Sequence, residues 1–243
     1  AKGGEAVANH DSVATMQGGE NIIATAINSF GRIDILVNNA GILRDRMIFN
    51  MSEEEWDGVI DTHLKGCFTT TRAASPYMRQ QKSGRIICIS SDSARGNSGQ
   101  VNYAAAKMGI IGLSNSLTLE LSKFNVRSNV IALSDSTHMT GSAPVSTDTQ
   151  AEAAHEARWT ATPPESPAIL ATLLASDLAE GVNGQIIGAR GNEVYLFSHL
   201  RPLRFLHHKG GWTPEILCRS LSRLEPLFTP VVGSETWMPW DPD

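Results

Sequence analysis

Four short, almost uninterrupted apolar runs, IDILVNN (33–39), RIICISS (85–91), VRSNVIAL (126–133) and GQIIGA (184–189), are separated by longer stretches of helical periodicity. A strand that is apolar on both faces has to be covered on both faces, and helices that cross between parallel strands provide that cover. The pattern therefore predicts an α/β fold built on a doubly wound parallel sheet. One covering helix is announced by Ser52 with Glu55 three residues on, a capping box with extra acid in its first turn. That helix carries Trp56, Val59, Ile60, Leu64 and Phe68 at helical spacing. A second helix runs over 103–124, where Gly109 and Gly112 leave room for a neighbouring helix or subunit. Past Gly191 the alternation stops, and the proline-, histidine- and tryptophan-rich remainder reads as an irregular C-terminal tail with one helix at 214–224. The organisation expected is one domain over 1–191 and an extension over 192–243.

At 243 residues and 41% hydrophobic content the chain can bury one sizeable core. Its 20 Lys+Arg against 25 Asp+Glu give no concentrated positive field, so nucleic acid is not an expected partner. Cys67, Cys88 and Cys218 have no CxxC spacing and read as reduced thiols, neither a disulfide frame nor a zinc site. No apolar stretch has the length of a membrane span and AKGGEAVANHDS carries no signal-peptide core, so the expectation is a cytoplasmic protein with no membrane partner. His199, His207 and His208 in the tail lack a carboxylate or cysteine at ligand spacing, and no metal is expected there.

The chemistry concentrates in SSDSARGNSGQVNYAAAK (90–107). Tyr103 and Lys107 are four apart and share a helix face. A phenol is a poor base at neutral pH, and a nearby ammonium that stabilises the phenolate brings it closer to working range. Ser90 and Ser91 end a buried strand, where the carboxyl edge of an open α/β sheet forms its ligand crevice. A hydroxyl placed there can hold the oxygen of an alcohol or carbonyl. His63, able to donate and to accept, suits a proton relay as well as an ordinary hydrogen-bonded helix position.

Taken together, IDILVNNAGI, RIICISS followed by NYAAAK, and SNVIA resemble the ordered motifs of the short-chain dehydrogenase/reductase family, over about 3–191. NNAGILRDR, HLKGCF and GNSGQVNYAAAK are most similar to its (3R)-hydroxyacyl-CoA dehydrogenase branch in multifunctional enzymes, and also to 3-oxoacyl-carrier-protein reductases. The resemblance implies a Rossmann-like sheet, NAD or NADP as cofactor with NAD favoured, and interconversion of a secondary alcohol and a ketone, such as a 3-hydroxyacyl thioester or a steroid-like substrate. It also implies a homo-oligomer assembled through the helices over 52–80 and 103–124. Tyr103 would be the general acid/base. Lys107 would lower its pKa and hold the nicotinamide ribose. Ser91, preferred to Ser90, would steady the substrate oxygen. Asn39, Ala40 and Gly41 would line the cofactor, Asp11 would lie near the adenine, and Thr137 near the carboxamide. His63 stands where most of the family has an asparagine, and it completes the catalytic set.

The chain departs from the family pattern in three further places. The family's first strand, Gly-rich phosphate turn and second strand would precede Gly3; KGGE and QGGE do not replace that turn, lacking its spacing and its preceding strand. Leu133-Ser134 replaces a Pro-Gly, and Arg190-Gly191 a Gly-Gly. The sheet is thus expected to lack its first strands, and the sequence is either a piece of a longer dehydrogenase or an inactive remnant acting through subunit or partner contacts.

Overall fold

The computed structural model describes residues 3–133, 165–190 and 192–231. Chain order and sheet order coincide: β1 (Ile35–Asn38), β2 (Gly84–Ser91), β3 (Val126–Leu133) and β4 (Ile186–Arg190) are parallel neighbours, and β5 (Glu193–Leu196) turns back antiparallel on β4. All but the last residue of β2 and of β3 is buried, as their continuous apolar character requires. The pleat divides β2 between two cores. Ile86 and Cys88 face α1 (Met16–Phe30), α3 (Gly66–Gln81) and α4 (Val101–Leu121), meeting Ile23, Met78 and Ile110. Ile87 and Ile89 face the other way, against Leu170 and Leu174 of α5 (Glu165–Ala175). Helices thus cover both faces of a Rossmann-like sheet.

Several elements differ from expectation. β5 lies in what reads as irregular tail; it is held because Gly188, opposite Tyr195, has no side chain, and a Cβ there would come within 2.0 Å of the tyrosine ring. The strand-like stretch 5–10 joins no strand and stays exposed. α1 was hidden by Gly18 and Gly19 in its first turn. Thr15 caps it by accepting from the Gly18 N–H, and Gly19 lets its backbone meet Thr69 of α3, where an added Cβ would be 2.7 Å away. The capping box of α2 (Glu53–Ile60) forms as read, but the helix passes into α3 through one π turn, Asp61–Lys65, that contains His63. A Cβ on Gly109 would meet Leu64, whereas one on Gly112 would meet nothing within 4 Å among the described residues. The tail helix α6 (Pro214–Leu221) is capped by Thr213 and ends sooner than its periodicity suggests.

β1 is an outer strand: among the described residues nothing pairs with its free edge, and Ile35 and Val37 are each 45% exposed.

Candidate active site

Ser91 is the last residue of β2, and α4 runs back along the sheet from Val101, so the carboxyl end of the strand faces the first turns of the helix. Adjacent strand residues point to opposite faces, and this separates the two serines. Ser90 is buried, its hydroxyl donating to the Lys107 carbonyl at 2.9 Å, a tie between strand and helix. Ser91 lies at the crevice, where its Oγ accepts from the Ser93 N–H at 3.2 Å, and it is near enough to Tyr103 to act on the phenol's ionisation.

Burial pushes the Tyr103 phenol above its ordinary value; the nearby Ser91 hydroxyl pulls it down, and the Asp45 carboxylate pushes it up. Lys107 is 3% exposed and its ammonium donates to the Ile89 carbonyl at 2.8 Å, with Nζ 5.4 Å from the centre of the Tyr103 ring. Burial lowers the Lys107 pKa to about 8, with Cys67 and Cys88 opposing. The balance at Tyr103 is therefore set first by desolvation and then by Ser91, where the sequence pattern gave that part to Lys107.

His63 closes the cluster. Its ring stands edge-on to Tyr103, and its Nε2 lies 3.0 Å from the Ile42 nitrogen and 2.8 Å from the Ile42 oxygen. Its Nδ1 is buried without a protein partner. Burial, helped by the Lys107 charge and opposed by the Ile42 hydrogen bond, lowers its pKa to about 4. The imidazole is neutral at pH 7, with one nitrogen left for a water or a ligand oxygen.

The loop after β1 approaches from the other side. Gly41 packs on the imidazole, where a Cβ would come within 2.3 Å of Cε1, so its missing side chain makes room for His63. Asn39 and Ala40 are exposed on the same loop. Asn102 was not singled out by sequence: it is buried beside Tyr103, and its amide donates to the Arg44 and Glu55 carbonyls at 3.0 Å each, fastening the loop to α4 and α2. Its place in the first turn of the helix that carries Tyr103 was the available signal. Asp45, held by Gln100 at 2.7 Å, is a second such residue. Asp11 lies apart: its carboxylate accepts from Asn21 of α1 and its N–H donates to Asn9, away from the four clustered residues. Thr137 and Ser134 lie outside the described residues.

The residues fit one end of a nicotinamide dinucleotide. Lys107, Tyr103, the orphan His63 nitrogen and the open loop at Asn39 and Ala40 suit the nicotinamide riboside. Among the described residues no strand leads through a Gly-rich turn into a helix N-terminus, the arrangement that takes a diphosphate.

A doubly wound sheet thus brings a serine, a tyrosine and a lysine together at the carboxyl end of β2. The model of the short chain dehydrogenase family matches residues 1–149, and the chain belongs to that family. Over 139 residues it is 55% identical to peroxisomal multifunctional enzyme type 2 of Drosophila melanogaster, covering 57% of this chain and 23% of that one. Over 183 residues it is 40% identical to a 3-oxoacyl-[acyl-carrier-protein] reductase of Thermotoga maritima, covering 72% of each. The crystal structure of a short chain dehydrogenase from Mycobacterium avium superposes with a TM-score of 0.80 at 36% identity, over 95% of this chain and 77% of that one. The chain spans under a quarter of the Drosophila enzyme, and 49% of a Mycobacterium tuberculosis dehydrogenase/reductase to which it is 50% identical. Among the described residues no helix is long and apolar enough to cross a membrane.

Proposed function

We propose that this chain carries the acid/base centre for interconverting a 3-hydroxyacyl and a 3-oxoacyl thioester, using NAD or NADP with NAD favoured. The supporting observation is the buried Lys107 ammonium 5.4 Å from the Tyr103 ring, with Ser91 at the strand end near the same phenol. The names of the relatives, a multifunctional enzyme and an oxoacyl reductase, support the substrate class. In oxidation the Tyr103 oxygen takes the hydroxyl proton while the Ser91 hydroxyl holds the same substrate oxygen; in reduction the phenol returns it. Lys107 supplies positive charge beside Tyr103 and would hold the nicotinamide ribose, and the neutral His63 would hold at its unpartnered Nδ1 the water through which the proton exchanges with solvent. A bound nicotinamide would supply the hydride acceptor or donor. Asn39, Ala40 and Gly41 are proposed to border it, with Asp11 and Thr137 further along.

The protein is proposed to act as a homo-oligomer on a small-molecule alcohol or ketone, within a domain over 1–191. The cytoplasm is the compartment proposed, on the unpaired thiols; the word peroxisomal belongs to the relatives' names. The test is a fluorescence titration of the chain with NADH and NADPH, followed by turnover of a 3-oxoacyl thioester. Tyr103→Phe should keep cofactor binding and lower turnover by roughly 10²–10⁴-fold. No binding at millimolar cofactor would leave the inactive-remnant reading in its place.

A further inference from the structure

A cleft of about 310 Å³ is lined by Ser91, the one residue it shares with the acid/base cluster, and by a face of α4. Ile111, one turn beyond Lys107, and Gly112 form its helix wall, and Ile186 of β4 forms its floor. The opposite wall is the segment that follows β5, from Phe197 to Leu200. That segment is held in place. The Phe197 N–H donates to the Ile186 carbonyl at 2.9 Å, and its ring lies edge-on to Tyr195 at 5.3 Å and under the Arg95 guanidinium at 4.5 Å. The Tyr195 hydroxyl in turn reaches Asp92, the residue after Ser91, at 3.0 Å. The far wall of the cleft is thus fastened to the strand end that presents the proposed catalytic serine.

We infer that this cleft takes the hydrocarbon tail of the substrate, so that Gly112 and the segment 197–200 set the chain length the enzyme accepts. The inference rests on the thioester reading above for which end of the substrate lies at Ser91. Three observations carry it. Ser91, the residue that would hold the reacting oxygen, lines the cleft. Its walls are mainly apolar side chains, which recognise a chain and no particular head group. Gly112 interrupts a long helix, where glycine is among the weakest formers, yet its missing Cβ would touch nothing within 4 Å. Its absence leaves open space in the cleft and serves no packing contact. An apolar cavity of about 150 Å³ takes a benzene ring, so this one has room for a chain of roughly ten carbons.

The experiment is isothermal titration of the full chain with butanoyl- and decanoyl-coenzyme A, in parallel with Gly112→Leu and Gly112→Ala. Each methylene removed from water strengthens binding by up to about fourfold, so the parent should bind the decanoyl thioester at least tenfold more tightly. Gly112→Leu should erase that preference, leave butanoyl affinity unchanged and keep or raise the melting temperature, since leucine is the better helix former. Gly112→Ala should fall between. Equal affinities for the two thioesters in the parent, or an undiminished preference in Gly112→Leu, would overturn the inference. Turnover is a separate readout: length-selective binding without turnover removes the oxidoreductase reading and leaves the cleft assignment, while turnover without length selectivity does the reverse.

Discussion

The His63 and Tyr103 rings meet at 5.2 Å and 87°, and the imidazole Nε2 is held by the Ile42 backbone, either accepting from its N–H or donating to its carbonyl according to the tautomer. This places a neutral, donor-acceptor ring against the proposed acid/base phenol, in the one π turn of an otherwise regular helix. Such turns add a residue to the helix and re-aim a side chain, and they recur at functional sites.

Burial makes His63 an acid-sensitive point. Above its ordinary value of 6.5 both folded and unfolded chains hold it neutral, with no effect on stability. Between 6.5 and about 4 the unfolded chain takes the proton and the folded one does not, so stability falls as pH falls. The loss is complete below about 4 and amounts to roughly 3 kcal/mol. Denaturant unfolding at pH 7 and pH 4.5 should show a smaller drop for His63→Asn than for the parent. Equal drops would refute it.

Gly41→Ala should destabilise by about 1–3 kcal/mol, because the new methyl falls on a ring that is itself fully enclosed. Asparagine lacks Cε1, so His63→Asn should relieve most of that cost. A double-mutant cycle read by urea unfolding should therefore give a clear coupling between the two positions, and strict additivity would show that the contact is not what makes glycine necessary.

The four parallel strands were legible because burial on both faces leaves an unbroken apolar run, as in 85–91 and 126–133. β5 was not. Val194 and Leu196 remain exposed on it, so no apolar face announces it, and its hold on the sheet comes from Gly188, seven residues before Tyr195, and from Asp92, which is distant in sequence. Tyr103 and Lys107 were legible as a helical pair, but the choice between Ser90 and Ser91 turned on which face of β2 each occupies. Ser90 faces the buried tie to α4 and Ser91 the partly open strand end, a difference of packing that no local pattern records. The π turn at His63 is equally silent in sequence, since one extra residue in a helix leaves the apolar spacing almost intact.

Lys107 should make the protein more stable toward alkali over a limited range. Below about 8 both states carry the proton and the folded chain bears the full cost of a buried ammonium. From about 8 toward 10.5 only the unfolded chain keeps it, so stability rises with pH. Tyr103 opposes this above 10, where the unfolded phenol ionises first. The window is therefore pH 8 to 10. Lys107→Met should lose turnover and cofactor affinity, keep or raise the melting temperature, and flatten this rise in urea unfolding. A variant that retains the pH 8–10 rise would show that another group causes it.

Two apolar surfaces compete as the interface of the proposed homo-oligomer. On the helical side Phe68 of α3 is 45% exposed and Leu119 of α4 is 84% exposed, a two-helix face of the kind that pairs with its own copy. On the sheet side, the free edge of β1 offers backbone donors and acceptors beside Ile35 and Val37, a surface that recruits strands without closing into a defined assembly. The two predict different behaviour. Phe68→Glu should lower the molar mass seen by light scattering at micromolar concentration to that of one chain, since a charge at the centre of a helix interface leaves a buried, unpaired carboxylate. Val37→Lys should leave that molar mass unchanged and slow the growth of larger particles on standing, because a lysine on an outer strand blocks the next strand from docking. If Val37→Lys dissociates the oligomer and Phe68→Glu does not, the strand edge is the interface and the helical face is free.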